Sequence, residues 1–244
     1  MMTRLFVSGE LINGATLELC DDKARYLGRV LRLRPGDTIR IFNGEGPEHA
    51  AIIETIARNT VLLRIGESYE SQTESPFRVH LVQGVSRGER MDFVIQKATE
   101  LGVKRVTPVL TEYGVVKLDA KRADKRREHW QAVAASACEQ SGRVRVPRID
   151  APVALKTWFG DRPAETDAQL ILRPGSATPL ANIDRPETKV CLLIGPEGGF
   201  SSVEYEDADI AGFTPVSLGP RILRTETAAV AALSVLQAKF GDLA

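Results

Sequence analysis

Cysteine and histidine are scarce in this chain, and neither sign of charge is in excess. The three cysteines, Cys20, Cys138 and Cys191, are far apart and odd in number. That excludes a disulfide framework and any CxxC metal site, and makes a reducing cytoplasm the expected compartment. The three histidines, His49, His80 and His129, form no HxxxH pair, and no GxSxG elbow is present, so zinc and hydrolase-triad chemistry have no support and no metal is expected. No GxxxxGK[ST] occurs. The nearest approach to GxGxxG, GEGPEH at 44–49, lacks its last glycine, which excludes the common phosphate and dinucleotide loops. No apolar run nears the roughly 20 residues that span a bilayer, and MMTRLFVSGE has no signal-like apolar core. Lys plus Arg equals Asp plus Glu at 32 each, so any affinity for nucleic acid must come from local patches.

What is present divides near ESYESQTESP (67–76), a polar stretch ending in proline that reads as a linker. Before it, residues 1–70 hold short strand-like runs (5–7, 15–19, 37–42, 50–56 and 60–65). They are separated by Asn13-Gly14, Pro35-Gly36-Asp37 and Asn43-Gly44 turns, which predicts a small β-barrel. After it, residues 76–244 alternate strand and helix. FRVHLVQG, RVTPVL, AQLILR, KVCLLIG and TPVSLG are predicted strands; helices are predicted over 89–101, 121–141, 202–211 and 226–240. Near-continuous apolar strands suit a parallel sheet covered on both faces.

Two segments stand out at strand ends. Gly195-Pro196-Glu197-Gly198-Gly199-Phe200-Ser201 follows LLI, where glycines let backbone approach a ligand. It equally suits an ordinary strand-to-helix turn capped by Ser201 or Ser202. Leu218-Gly219-Pro220-Arg221-Ile222-Leu223-Arg224-Thr225-Glu226 also joins a strand to a helix, with Thr225 as the expected N-cap. Two such loops would meet at the C-terminal edge of one sheet, where α/β proteins bind ligands. Glu226 fits a first helical turn, whereas Arg221 and Arg224 oppose the helix dipole and are either a solvated loop or ligand contacts.

IGPEGGFS and LGPRILRTETA, with RVLRLRPGD (29–37), QKATELGV (96–103) and ACEQSGR (137–143) in order, resemble the 16S ribosomal RNA uridine-N3 methyltransferases of the SPOUT superfamily. The resemblance covers nearly the whole chain. It implies a PUA-like β-barrel RNA-binding domain followed by an α/β trefoil-knotted methyltransferase domain, and a homodimer acting on small-subunit RNA or the assembled 30S particle. It also implies S-adenosylmethionine (SAM) as cofactor, held by Leu172, Pro174, Gly195, Glu197, Gly198, Leu218, Gly219, Ile222 and Leu223.

The basic residues suit RNA. Lys23, Arg25, Arg29, Arg32 and Arg34 form a cationic run without an intervening acid, beside Tyr26, and Arg4 is a further candidate RNA contact. The second basic stretch, 117–130, is mixed with Asp119, Asp124 and Glu128 and reads as a self-paired helix surface. For methylation at uridine N3, Arg224 is the candidate stabiliser of the uracil anion and Glu226 the candidate base. Capture of already deprotonated substrate, with no dedicated base, stays open. Two competing readings are a cofactor-free ribosome-assembly factor, disfavoured by the intact loops, and a nucleotide-phosphate enzyme, disfavoured by the absence of P-loop spacing.

Overall fold

The computed structural model describes residues 2–116, 119–162, 167–184, 186 and 188–243. Lys117 and Leu118, which open the second basic stretch, lie outside the described residues. The chain forms two compact units. One comprises Met1–Glu74 with Cys138–Val146, and the other Ser75–Ala137 with Pro147–Ala244.

The first unit contains β1 (Arg4–Phe6), β2 (Thr16–Cys20), the short helix α1 (Asp21–Arg25), β3 (Thr38–Phe42), β4 (Glu48–Ile56) and β5 (Thr60–Tyr69). Its five strands pair in the order β1-β3-β4-β5-β2, parallel only between β1 and β3. Alternation along β3, β4 and β5 turns Ile39, Ile41, Ala51, Ile53, Val61, Leu63 and Ile65 onto one buried face. Register shifts in β4 between His49 and Ala51 and between Ile53 and Thr55 bend the strand.

Residues 138–146 complete this unit. Arg4 donates to Glu48 (2.9 Å) and to the carbonyls of Cys138 (2.6 Å), Glu139 (3.2 Å) and Arg143 (3.0 Å). The Phe6 N–H donates to the Glu139 carboxylate at 2.8 Å. Arg143, buried, pairs with Glu74 at 2.9 Å, and Glu74 also accepts the backbone N–H of Arg145. The polar stretch 67–76 is mostly exposed and contains the boundary between the two units, at Glu74/Ser75. β5 runs to Tyr69, and Glu74 is tied into the unit by charge pairing.

The second unit contains β6 (Arg78–Gly84), α2 (Arg90–Glu100), β7 (Arg105–Leu110) and α3 (Ala120–Ser141), whose last four residues count with the first unit. There follow β8 (Arg148–Ile149), β9 (Val153–Ala154), α4 (Leu155–Asp161), β10 (Ala168–Leu172), β11 (Lys189–Ile194), α5 (Ser202–Ile210), β12 (Thr214–Val216) and α6 (Thr225–Phe240). The sheet runs β12-β10-β11-β6-β7-β8, with β9 also on β7, and every pairing is parallel. Because the sheet is parallel, its central strands are apolar on both faces: β6 and β11 bury Val79, Leu81, Val82, Val190, Leu192 and Leu193. The helix α4, absent from the sequence expectation, covers one face with Leu155 and Trp158. Its seven residues are too few for periodicity to distinguish it from a loop. The inner face of α3 is anchored by Trp130, whose indole N–H donates to Asp92 at 3.0 Å. Asp119 starts that helix by accepting the Arg122 N–H at 2.8 Å.

Gln237 of α6 is fully buried, accepting from the Ser75 hydroxyl (2.8 Å) and donating to the Leu101 carbonyl (2.9 Å). Gln237→Leu removes the acceptor of the Ser75 hydroxyl proton and the donor to the Leu101 carbonyl, leaving Ser75 Oγ only the Phe77 N–H at 3.2 Å. Urea unfolding should show a loss of about 2–4 kcal/mol through a lower midpoint at constant m-value. An unchanged midpoint would mean that the clamp contributes nothing.

Candidate active site

The C-terminal ends of β10, β11 and β12 release three loops, and their backbones enclose a pocket of about 500 Å3. The first loop supplies Leu172 and Pro174, the second Gly195 and Glu197, and the third Leu218, Gly219, Ile222 and Leu223. Arg224, Glu226 and Arg221 also line it. Eight of the nine residues expected to contact a cofactor thus converge here. The ninth, Gly198, does not line the pocket. A Cβ there would stand 2.8 Å from the Tyr113 carbonyl oxygen, so this glycine is needed for close packing behind the loop.

The loops are fixed by a buried polar network that the sequence did not reveal. Gln83, fully buried at the end of β6, donates to the Thr225 hydroxyl at 2.9 Å and to the Gly84 carbonyl at 3.1 Å. Thr225 in turn donates to the Gly195 carbonyl at 2.6 Å. Thr225 is therefore not the N-cap of α6. It is the first helical residue, Arg224 holds the N-cap position with extended backbone, and the Thr225 hydroxyl is directed to the second loop instead. Gly84 completes the lock, because a Cβ on it would lie 2.4 Å from the Pro196 ring and nitrogen. A lone glutamine in an otherwise apolar strand, followed by glycine, is the signal that could have exposed this pair.

The second loop ends in an N-cap at Ser201, one of the two serines expected, and the cap is a capping box. Ser201 accepts the Glu204 N–H (3.2 Å), and the Glu204 carboxylate accepts the Ser201 N–H (2.9 Å). Glu197 is held by Arg90 of α2 at 2.6 Å and by the Arg87 N–H at 3.2 Å. Burial disfavours its charge, but hydrogen bonds from its own backbone, Arg90 and Arg87 outweigh this and hold its carboxyl below the usual carboxylate range. Arg90 is a pocket residue that carries no signal in the sequence; its guanidinium feels both Glu197 and Glu226. Glu226 sits in the first turn of α6, favoured by the dipole, and its Oε2 is buried without a hydrogen-bond partner in the structure. Ile222 on the third loop is 86% exposed.

The RNA methyltransferase domain family matches residues 73–237, and its PUA domain counterpart matches residues 19–66. The ribosomal RNA small subunit methyltransferase E of Buchnera aphidicola (from Schizaphis graminum) is 36% identical over 240 residues, 98% of this chain and 97% of its own. The chain belongs to this methyltransferase family. Among solved structures, a Legionella pneumophila methyltransferase in complex with SAM superposes with a TM-score of 0.94 at 42% identity, covering all of both chains. The ribosomal RNA small subunit methyltransferase E of Neisseria gonorrhoeae, bound to S-adenosylmethionine, superposes with a TM-score of 0.92 at 38% identity, again over all of both chains.

In the unit that contains the family's PUA match, the cationic run lies on α1, the π-helical turn Tyr26–Val30 and the loop after it. Arg29, Arg32 and Arg34 all reach solvent, with Tyr26 beside them at 41% exposure. Two of the other candidates are more committed than the sequence suggested. Arg25 pairs with Asp22, and Lys23 donates to the Phe6 carbonyl at 2.8 Å, with burial lowering its pKa. Arg4, expected at an RNA surface, is instead a structural clamp, its donors taken by Glu48 and three carbonyls. Among the described residues no group of three or more His, Cys, Asp or Glu is placed to hold a metal, and no helix is long and apolar enough to cross a membrane. Burial pushes the Cys138 and Cys191 thiols up to about 12, which leaves both unreactive.

Thr225→Val keeps the shape but removes the hydroxyl from both Gln83 and the Gly195 carbonyl. Stability should fall by about 1–3 kcal/mol, and the pocket's ligand affinity should fall with it. Calorimetric titration beside thermal melts checks this. A variant with native affinity would show that the loops hold their form without the network.

Proposed function

We propose that this protein methylates N3 of a uridine in the 16S RNA of the small ribosomal subunit, using S-adenosylmethionine. The observation that carries this reading is the three-loop pocket at the sheet edge of a chain whose full-length relatives are small-subunit RNA methyltransferases, one solved with SAM bound. The pocket suits that cofactor. Its volume is in the range of small-molecule sites, and Leu172, Leu218 and Leu223 give it apolar walls. The residues that would hold SAM are Leu172, Pro174, Gly195, Glu197, Leu218, Gly219, Ile222 and Leu223, with Gly198 acting from behind through its packing on Tyr113. SAM supplies a methyl group on a sulfonium, poised for direct displacement.

The protein's own task is to position the uracil and make N3 nucleophilic. Glu226 Oε2, buried and without a partner, takes the N3 proton. Arg224, at the pocket rim, stabilises the charge that develops on the uracil oxygens. Arg29, Arg32 and Arg34 hold RNA phosphates, with Lys23 and Arg25 as weaker contributors.

The finer architecture belongs to the same proposal. The third loop is stitched to the first by the parallel bridge Pro179–Ser217 and by N–H donation from Ser217 to Thr178 and from Leu180 to Ser217. Such interlacing supports a trefoil knot of the SPOUT kind. The bare Ile222 side chain beside the pocket, with half-buried Ala228 and Ala231 on α6, supports a homodimer that covers the site. The place of action is the cytoplasm, on 16S RNA or the assembled 30S particle, with residues 1–70 gripping RNA and residues 76–244 carrying the chemistry.

Two experiments test this reading. Arg224→Gln and Glu226→Gln should each lower the single-turnover methylation rate by about 10²–10³-fold while SAM affinity holds. Retained rates in both would remove these residues from the chemistry. Arg29→Gln with Arg32→Gln should weaken RNA binding and flatten its dependence on log salt by about one unit for each phosphate no longer neutralised. An unaltered slope would move the RNA surface elsewhere.

A further inference from the structure

A second cavity, of about 190 Å3, opens on the same unit at the opposite end of the sheet. It sits near the N-terminal ends of β6, β7, β10 and β11. Along β11 it is about 16 Å from the methyl-transfer pocket, at roughly 3.3 Å per residue from Lys189 to Ile194. Across the sheet, Gln169, Cys191, His80 and Arg105 stand in register on four neighbouring strands and line it. α4 covers the adjoining apolar part of the sheet with Trp158, whose ring meets His80 edge-on at 6.2 Å; in the row Cys191 is buried, while Gln169, His80 and Arg105 are partly exposed.

The walls are cationic. Arg78, Lys104, Arg105, Arg162 and Lys189 all line the cavity. Arg105 is paired with Asp150 at 2.6 Å, and Arg162 donates to the carbonyls of Phe159 and Ala211. Arg78, Arg162 and Lys189 make no ion pair with any carboxylate among the described residues. Asp167, the acid beside Lys189, accepts the backbone N–H groups of Thr188 and Lys189. His80 is neutral, its pKa lowered to about 4 by burial and by Arg105.

We propose that this cavity binds a phosphate group. Several cations concentrated around a small polar hollow match a multiply charged tetrahedral oxyanion, with guanidinium forks suited to its oxygens. The volume is below that of ordinary small-molecule sites and takes a phosphate with water, not a nucleoside. The phosphate belongs either to an RNA backbone or to a small phosphorylated molecule.

The probe is inorganic phosphate, followed by NMR on the full-length protein. Phosphate should shift the Trp158 indole and His80 ring signals and leave the Trp130 indole unmoved. Arg78→Gln combined with Lys189→Gln, both away from the proposed chemistry, should weaken that binding by about tenfold or more, with SAM affinity equal in the two proteins. If phosphate competes with RNA in the wild type but not in the double variant, the natural ligand is an RNA phosphate. If it binds without competing, the ligand is a small phosphorylated molecule. No shift in the wild type, or equal shifts in the variant, would overturn the site, and the wild-type titration stands without any variant. The inference does not depend on methyl transfer, so its failure and that of the proposed function are separable.

Discussion

The hydrogen bond from Thr225 to the Gly195 carbonyl, held from the other side by Gln83, is the constraint on which the pocket depends. Three pieces of chain distant in sequence meet there: the end of β6, the loop after β11 and the first turn of α6. A buried amide is costly unless its donors are used, so Gln83 strongly disfavours any arrangement in which Thr225 is elsewhere. Gly84 adds a steric condition, because only a residue without Cβ lets Pro196 approach. Together they set where the third loop must end, and so where Arg224 and Glu226 can point.

Charge is distributed differently in the two cavities of the catalytic unit. The larger one is mixed: Arg90 and Glu197 neutralise each other on its wall, and Glu226 shares the lining with Arg224 and Arg221. Its apolar surfaces and backbone groups are left to discriminate shape. The smaller one keeps an excess of cations over a polar sheet face. A chain with no net charge can hold such an excess only if acids outnumber cations elsewhere.

Much of the secondary structure was legible because its determinants are local. Periodicity placed the strands that became β3 to β7 and the helices α2, α3, α5 and α6, mostly within two residues, and the glycine loops were found from their position at strand ends. What failed was long-range. Arg4 looked like a free cation because sequence shows charge but not partners, and its carbonyl acceptors lie more than 130 residues away. The ion pair of Glu74 with Arg143 was invisible for the same reason. Thr225 has the composition of an N-cap, yet tertiary contact with Gly195 redirected its hydroxyl. Gly198 carries a packing constraint from Tyr113, a residue with no sequence cue.

The membership of residues 138–146 in the first unit bears on how the chain matures during synthesis. Domains commonly fold in the order they emerge from the ribosome, amino end first. Here the N-terminal body lacks the three carbonyl acceptors for Arg4, the carboxylate for the Phe6 amide and the arginine for Glu74 until residue 146 is outside. At about 5–20 residues per second, Glu74 precedes Val146 by roughly 4–14 s. Through that interval the nascent first unit waits with a buried guanidinium site unfilled, and it cannot finish its own packing before a large part of the second unit has already been made.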